Sequence, residues 1–572
     1  MKRRDLLAAV IGDQESEDPP QQHDSLAASP FANRKIPAVI RTTAGLEPYT
    51  GAFGNDQLLH LLRRTMFGPS RADVDLFKGK TMVQVVDQLL AVPPPETSVP
   101  VIYATATNET IPIGSTWIDA TTNDNSGGRT ASLKAWWLGL MLHQQPSIRE
   151  KMVLFWHNHF VTATATVADP RFSYRYLDVL RRFALGGFKD LARQITIDGA
   201  MLRYLNGNRN SAAAPDENYA RELQELFTIG KGPQVGPGDY TNYTEQDVKA
   251  AAKVLTGWRD LKNADGSVAA STSWFDVTKH DLTNKTFSYR YNNVVIVGSG
   301  DGMLEINGLL DMIFAQPETA RFICRKLYRW FIYYVIDSWT ELNIIEPLAN
   351  TLRANNYQIL PVLQLLFKSA HFFDPLNVGC IIKNPLDHTL GTCRQFSVVF
   401  PTASDGPAKQ YGMWNYLVGQ ATAVQQTLGD PPDVSGWHAY YQEPQYHELW
   451  INSDTLPKRS AWTSRMVTSG FSTAGAKIII DPIAYIQTLS DPGDPNVIIN
   501  ETAQYLFASP ITDNQKAFLK NVLIPGLPDY EWTIEWVTYI ADPTNTTNLN
   551  AVKSKLAALL NFMMQMPEYQ LM

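Results

Sequence analysis

The stretch that decides the fold reads Ala135-Trp136-Trp137-Leu138-Gly139-Leu140-Met141-Leu142. Its residues are apolar on every side of a helix, so the segment has no polar face to present to water. A helix that is apolar all round is buried in the core of a large protein. The stretch therefore predicts a central core helix around which other elements pack.

Helical patterns extend from this stretch in both directions. Apolar residues recur at spacings of three and four, which is the pattern of an amphipathic helix. A long interval rich in Pro, Thr, Asn and Gly, residues 93–129, predicts a surface loop before the core helix. The helical segments are Asp56–Thr65, Met82–Leu90, Ile148–Phe160, Tyr174–Phe183, Phe188–Thr196, Asn218–Ile229, Glu245–Leu255, Leu304–Phe314, Pro317–Tyr334, Thr340–Asn355 and Ile359–Lys368.

One interval departs from the helical pattern. Trp274-Phe275-Asp276-Val277 and Val294-Val295-Ile296-Val297 are short runs rich in β-branched and aromatic residues, which is typical of strands. We therefore expect a mainly α, large multi-helix globular fold with a small, hairpin-like β insert near residues 270–300.

The chain divides into three regions by composition. Residues 1–50 are rich in Pro, Ser, Asp and Gln and are interpreted as a degenerate leader followed by a flexible segment. Residues 51–400 form the predicted helical core that carries the candidate site. Residues 401–572 form a C-terminal helical region that we expect to pack on this core.

Composition limits the function classes. The 572 residues carry a net charge of −7, whereas a nucleic-acid binder needs a basic face, so nucleic acid is not the expected partner. No stretch reaches the roughly 18 apolar residues of a membrane helix, so we expect a protein without a transmembrane anchor. The three cysteines form no disulfide framework: one bridge between Cys380 and Cys393, or three ordinary thiols, are both compatible with the spacing.

The amino terminus indicates export. Met1-Lys2-Arg3-Arg4-Asp5-Leu6-Leu7 is similar to the start of a twin-arginine signal. The apolar run that follows, Leu6–Ile11, is short for a signal peptide, and no clear cleavage site comes after it. We interpret the segment as a degenerate signal and expect a periplasmic or cell-surface location.

The first candidate residues are His157 and His159, at the end of a predicted helix. On an extended segment both rings face one side and could share a metal. On a helix they diverge by about 200°, which follows from its 3.6 residues per turn. A shared metal therefore requires the helix to end near His157. Two histidines bonded to backbone at a helix end are the alternative.

A second set of candidates lies on the helix that begins after Asp216 and is closed by Gly230. Asn218, Arg221, Glu222 and Glu225 occupy adjoining positions, at spacings of three, four and seven. Two carboxylates one turn apart could bind a divalent cation or divide into an acid and a base. An ordinary surface pair between Arg221 and Glu225 is the alternative.

Further candidates lie in the loops. His280 is next to Asp281, an arrangement that could form a general base. The oxygen-rich loop from Asn206 to Asp216 could ligate calcium, but it matches no EF-hand spacing, and the sequence favours an Asn/Gly turn. Thr244 and Asp247 fit a capping box, which requires no function.

Several short segments, taken together, resemble one family. The chain is similar to domain-of-unknown-function family 1800 over about residues 56–568. The segments that carry the resemblance are Leu58–Gly68, Phe155–Phe160, Glu217–Glu222 with Glu225–Thr228, Tyr243–Glu245 with Asp247–Val248, Thr256–Trp258, His280–Asp281 with Lys285, Lys383–Pro385 and Pro431–Trp437.

The resemblance implies a bacterial exported protein that is often paired with an uncharacterised protein of alkaline-phosphatase or sulfatase-like type. It supplies no established activity. It also implies that the polar residues identified above belong together, and it strengthens the prediction of a site at His157, His159, Asn218, Arg221, Glu222, Glu225 and His280.

Two hypotheses remain open, and no nucleophile elbow, phosphate loop or HExxH motif narrows them. The first is an envelope hydrolase with a His/Glu/Arg site. His157 or Glu222 would act as base, Arg221 would orient or bind an anion, and a divalent metal on His157, His159 and Glu222 would assist. The second is a non-catalytic surface-binding or assembly protein with a buried polar network, presenting a glycan- or protein-binding face.

Overall fold

Residues 41–572 are described by the computed structural model of the protein. The predicted leader therefore lies almost entirely outside the described residues. Residues 41–50, which were expected to be flexible, pair in part with the core: Pro48 and Ser369 form an isolated antiparallel bridge.

The first half of the described chain is built from helices. These are α1 Asn55–Thr65, α2 Arg71–Phe77, α3 Met82–Leu89, α4 Ser126–Leu142, α5 Arg149–His159, α6 Thr164–Val167, α7 Pro170–Arg182, α8 Phe188–Thr196, α9 Gly199–Tyr204, α10 Asn218–Glu222 and α11 Glu245–Val254.

The second half continues in the same way, so the mainly α prediction is confirmed. Its helices are α12 Gly302–Phe314, α13 Pro317–Phe331, α14 Ser338–Thr340, α15 Glu346–Ala354, α16 Ile359–Phe367, α17 Pro385–Gln395, α18 Pro407–Ala423, α19 Thr455–Thr468, α20 Pro482–Ile486, α21 Pro495–Leu506, α22 Asp513–Leu523, α23 Asp529–Ala541 and α24 Thr546–Gln565.

Every sheet within residues 41–572 has two antiparallel strands. The insert is larger than predicted, because its main hairpin already begins at Trp258 and its long strand ends at Phe275. The strands are β1 Gln234–Gly236, β2 Asp239–Tyr240, β3 Trp258–Lys262, β4 Val268–Phe275, β5 Lys285–Thr286, β6 Val295–Ile296, β7 Phe471–Thr473 and β8 Ala476–Ile478. They pair in consecutive order, β1 with β2 through β7 with β8.

The apolar stretch at 135–142 forms the end of α4 and is buried, as predicted. Trp137 and Leu138 have almost no exposed surface. The C-terminal region contacts this helix through α18. A Cβ at Gly139 would lie 2.9 Å from the indole of Trp414, so only glycine allows α18 to approach so closely. The proposed boundary at residues 400/401 stays a prediction.

Local capping signals hold the helix ends. The hydroxyl of Ser70 accepts from the backbone N–H of Asp73 at 3.1 Å and begins α2. Thr244 and Asp247 form the predicted capping box of α11. These bonds satisfy backbone donors that the first turn of a helix leaves unpaired.

The structure bears on three further predictions, which concern the cysteines, membrane-spanning helices and the loop at residues 93–129. Cys324, Cys380 and Cys393 are all free thiols. In residues 41–572 no helix is both long enough and apolar enough to cross a membrane. The loop predicted at residues 93–129 is confirmed up to Asn125, after which α4 begins.

Candidate functional site

Three segments that are far apart in the chain meet at the carboxyl end of α5. The backbone N–H of Trp437 donates to Oδ1 of Asn158 at 2.9 Å, which brings the loop 430–441 onto this end. Nε2 of His159 donates to the carbonyl oxygen of Phe227 at 2.9 Å, which attaches the segment after α10. We call the region formed by the α5 end, residues 217–231 and the loop 430–441 the polar site.

The segment after α10 is a π-helix over Leu223–Thr228, a wider turn than the α-helix predicted there. The hydroxyl of Thr228 donates to the carbonyl of Leu223, five residues earlier. Gly230, with φ of +77°, closes the segment as predicted. A helix end leaves carbonyl groups without intrahelical donors, which frees the Phe227 carbonyl for His159. Single π turns of this kind occur frequently at functional sites.

Glu222 is the carboxyl group with the most altered acidity in the polar site. Burial raises its pKa to about 7, and the charges of Glu225 and Asp433 act in the same direction, against Arg221 and Lys231. A carboxyl group with this pKa holds a proton near neutral pH and can donate it.

Glu225 is held beside Glu222 by two partners. The hydroxyl of Tyr243 donates to its Oε2 at 2.8 Å, and Nζ of Lys231 lies 3.5 Å from its Oε1. The alternative surface pair between Arg221 and Glu225 is therefore not the arrangement that the structure shows.

Asp433, in the loop 430–441, is a carboxyl group whose surroundings favour its ionised form. Its Oδ2 accepts from Nε2 of His438 at 3.0 Å and from the hydroxyl of Tyr441 at 2.7 Å, and its Oδ1 accepts from the backbone of Ser435 at 2.8 Å. Burial alone would raise the pKa of Asp433, but these hydrogen bonds together lower it. Asp433 is therefore ionised where Glu222 still holds its proton.

Arg221 is engaged by carboxylates and is not free to bind a substrate anion. Its guanidinium donates to both carboxylate oxygens of Glu245, at 2.6 and 2.7 Å, and to Glu217 at 3.1 Å. This bidentate contact fixes α10 to α11. Asn218 is exposed at the first position of α10, and its backbone N–H donates to Oδ1 of Asp216 at 2.8 Å. Glu217 is the N-cap residue of α10, and Asp216 precedes it.

His157 points away from the carboxylates into the core. Its Nδ1 lies 3.2 Å from the hydroxyl of Tyr176, and its ring packs edge-on against Trp137 and Trp437. Burial lowers the pKa of His157 to about 3, so the ring is neutral. A base role for His157 requires solvent contact that its 2% exposure does not provide.

His159 is also buried, and it has different partners. Nζ of Lys326 lies 3.3 Å from its Nδ1 and donates to the carbonyl of Leu226 at 3.0 Å. Burial holds the pKa of His159 well below its ordinary value, and it lowers the pKa of Lys326 to about 7. His159 and Lys326 thus bind the end of α5 to the π-helix.

The predicted metal ligands are not brought together. Because α5 continues to His159, the two histidines diverge as helix geometry requires: His157 contacts Tyr176, and His159 contacts the Phe227 carbonyl. Across residues 41–572 no group of three or more His, Cys, Asp or Glu side chains is arranged to hold a metal ion. Glu222 belongs instead with Glu225 and Asp433.

His280 lies in a separate closed network. Its Nε2 is 3.0 Å from Oε1 of Glu305, and its Nδ1 is within 3.0 Å of both oxygens of Thr256. Nζ of Lys285 donates to the other oxygen of Glu305 at 2.6 Å. The side chains of His280, Lys285 and Glu305 are at most 1% exposed. His280 therefore pairs with Glu305 and not with its neighbour Asp281.

The loop from Asn206 to Asp216 is a turn held by amides. Nδ2 of Asn210 donates to the carbonyl of Ala252 at 3.0 Å, and its Oδ1 accepts from the backbone of Asp216 at 2.9 Å. These bonds use the oxygen of Asn210 that a calcium site would need.

Sequence reasoning missed Asp433, His438, Tyr441 and Lys326. Asp433 stands in the segment Pro431–Trp437, which contributed to the family resemblance but received no role. Its position in that segment was the available signal. No spacing in the sequence relates it to Glu222, because its electrostatic influence on Glu222 depends on how the loop folds onto α5.

The fold and the polar site together define a large, mainly α-helical protein with a cluster of carboxyl groups at the end of a core helix. The chain belongs to the family described as protein of unknown function (DUF1800), whose model matches residues 60–571. No curated protein and no solved structure matches the chain significantly. The family assignment confirms the resemblance found in the sequence.

Proposed function

We propose that this protein is a bacterial envelope hydrolase in which Glu222 is the general acid and Asp433 is its ionised partner carboxylate. The observation that carries the proposal is the different surroundings of the two carboxyl groups: Glu222 is half-buried next to Glu225, whereas Asp433 accepts hydrogen bonds from Ser435, His438 and Tyr441. In keeping with these surroundings, the pKa of Glu222 is raised and that of Asp433 is lowered. Carboxyl groups whose environments separate their pKa values in this way divide into a proton donor and a charge-stabilising or nucleophilic group.

Hydrolysis by two carboxyl groups is the usual chemistry of glycosidic bonds, so we propose a glycan as substrate. Glu222 would protonate the leaving oxygen as the glycosidic C–O bond breaks, and Asp433 would stabilise the positive charge that develops on the sugar ring. A water molecule would then add to the anomeric carbon and return a proton to the Glu222 carboxylate. Tyr441 and His438 keep Asp433 ionised by donating to it. Arg221 would act by positioning α10 through Glu245. Arg221 would therefore position the helix, instead of binding an anion of the substrate as the sequence suggested.

A location in the periplasm or at the cell surface is part of the proposal. It is supported by the Met1–Leu7 segment, which is similar to the start of a twin-arginine signal, and by the export that the family resemblance implies. A sulfatase-like envelope protein is the partner that we propose, on the resemblance alone. Such a pairing would place two hydrolytic activities on one envelope polymer.

The test uses the purified full-length protein with isolated envelope polysaccharides and a panel of chromogenic glycosides. New reducing ends or released chromophore report cleavage. General acid catalysis contributes roughly 10²–10⁴-fold, so Glu222→Gln should lower kcat by about that factor. Asp433→Asn should be at least as damaging.

The matched controls are Glu47→Gln and Asp454→Asn, which make the same chemical changes at exposed positions. Both controls should retain full activity. If wild type and controls cleave a substrate and Glu222→Gln cleaves it equally fast, the assignment of Glu222 is wrong. If no glycan or glycoside is cleaved, the glycan hydrolase is rejected.

A second candidate function is non-catalytic binding or assembly at the cell surface. The observation that favours it is the closed burial of His157, His159 and His280, which hold helices together without contacting solvent. Sedimentation with envelope fractions distinguishes the two functions. Under this alternative, Glu222→Gln and wild type bind equally and neither cleaves the polymer.

A further inference from the structure

A second group of charged side chains lies buried around Asp387, outside the polar site. Arg64, Lys151, Lys383 and Arg459 each expose at most 6% of their surface, and Asp387 exposes 4%. Lys151, Lys383 and Arg64 act to lower the pKa of Asp387, and the charge of Asp387 acts to raise the pKa of Arg459. Asp387 forms a salt bridge with Lys151 and accepts from Nδ2 of Asn384 at 2.6 Å.

The other three cations have neutral partners. Arg64 donates to the carbonyl of Asn377 at 2.8 Å, and Lys383 donates to the carbonyl of Tyr569 at 2.7 Å. Arg459 donates to the carbonyl of Lys383 at 2.9 Å. Within residues 41–572 none of the three has a salt bridge. Burial holds the pKa of Lys383 well below its ordinary value, so the excess of positive charge in this group lies on Arg64 and Arg459. Buried charge without a counter-charge is costly, unless an anion accompanies it.

An internal cavity lies against this group. Its lining includes Arg64, Lys151, Asn384, Asp387 and His447, together with Arg329 and Tyr334. Its volume is about 20 Å³, whereas one water needs about 10–15 Å³ by the same measure. The cavity therefore admits a single small ion or one or two waters, and no larger ligand.

Two unpartnered donors belong to side chains that line the cavity. Nε of Arg64 and Nε2 of His447 are buried and have no hydrogen-bond partner within residues 41–572. The backbone N–H of Ile382 donates to Nδ1 of His447 at 3.2 Å, so Nε2 carries the proton of the neutral ring. Burial, together with Arg64 and Arg41, lowers the pKa of His447 to about 3 and keeps the ring neutral.

We propose that this cavity is a binding site for a small inorganic anion of chloride size. The excess of buried positive charge attracts an anion and repels a cation. The N–H groups of Arg64 and His447 supply donors of the kind that an anion requires. The volume restricts the ligand to one small ion. The site is independent of the proposed hydrolase, because Glu222 and Asp433 do not line it.

The direct test is a crystal of the full-length protein soaked in sodium bromide, with anomalous diffraction measured at the bromine edge. We expect a bromide peak between Arg64 and His447. In solution, sodium chloride should raise the melting temperature in a saturable manner, by about 2 °C or more over sodium gluconate of equal ionic strength. Because the two salts have equal ionic strength, general screening of charge is the same in both and does not cause a difference between them.

The variants distinguish this cavity from other chloride effects. Arg64→Met should abolish both the peak and the chloride-specific rise, whereas Arg182→Met removes an exposed arginine and should retain both. Should Arg64→Met fail to fold, His447→Leu leaves every charge in place and should weaken the chloride response at least several-fold. Absence of a bromide peak in the wild-type cavity overturns the proposal. So does a chloride response that His447→Leu leaves unchanged.

Discussion

The backbone N–H of Trp437 donates a hydrogen bond to Oδ1 of Asn158 at 2.9 Å, although 279 positions separate the two residues. This bond holds the loop with Asp433 against the end of α5. The indole of Trp437 also lies 5.9 Å from the ring of His157, centroid to centroid. His157, which the sequence suggested as a base, is therefore a support for the loop that contains the carboxylate.

Gly436 is the position where this loop is most sensitive to substitution. It has φ of +98°, and an added Cβ would come within 3.0 Å of Oδ1 of Asn158. Gly406 has a similar φ of +95° with open space around it, so it is a matched control for backbone strain alone. We expect Gly406→Ala to cost roughly 1 kcal/mol and Gly436→Ala roughly 3 kcal/mol. Urea unfolding measures both, and equal losses would contradict the proposed close packing.

The raised pKa of Glu222 makes the stability of the protein depend on pH. The pKa is about 7 when folded and near 4.5 when unfolded, so the native state binds the proton more tightly. Its contribution is fully present below pH 4.5 and is lost as the pH rises through 7. Relative to Glu222→Gln, the wild type should lose roughly 3 kcal/mol of unfolding free energy between pH 4.5 and 7.5.

That comparison is made by urea unfolding of both proteins across the pH range. Other groups also make stability depend on pH in this range, including buried histidines that take up a proton only on unfolding, but they are present in both proteins. A constant difference between wild type and Glu222→Gln would show that the folded carboxyl group has an ordinary pKa.

His438 reports on the ionisation of Asp433. The hydrogen bond to Asp433 raises the pKa of His438 above its ordinary value. The ring is about half exposed and can be followed by NMR as the pH is changed. In Asp433→Asn the pKa of His438 should fall back toward 6.5, because the neutral amide no longer favours the imidazolium. An unchanged titration would mean that the two side chains are not paired in solution.

Breaking the buried network of His280, Lys285 and Glu305 should strongly destabilise the protein, because it leaves a buried charge without its partner. Glu305→Gln removes the counter-charge of Lys285 in a site that is at most 1% exposed. Breaking a buried pair in this way costs about 3–5 kcal/mol. The control is Asp454→Asn, which breaks the exposed pair with Lys458 and should cost less than about 1 kcal/mol. Similar losses of unfolding free energy in the two variants would count against a closed network.

Much of the helical architecture was predictable because its causes are local. Phe188–Thr196 was predicted with the same bounds that the structure shows, and Ser70 and Thr244 begin their helices as capping residues. The β insert was found but was placed too late in the chain. Trp258 belongs to its hairpin through pairing with Phe275, a contact that periodicity alone does not reveal.

For this protein, sequence determined the mainly helical fold, the family and the segments in which polar residues concentrate, since these follow from periodicity and motif order. Tertiary structure alone decided which polar residues share a site. Asn158 and Trp437 bring the loop with Asp433 onto the end of α5, while burial assigns His157 and His280 to internal contacts. Helical spacing relates only residues of one helix, whereas the environment of each carboxyl group depends on segments that folding brings together from distant positions.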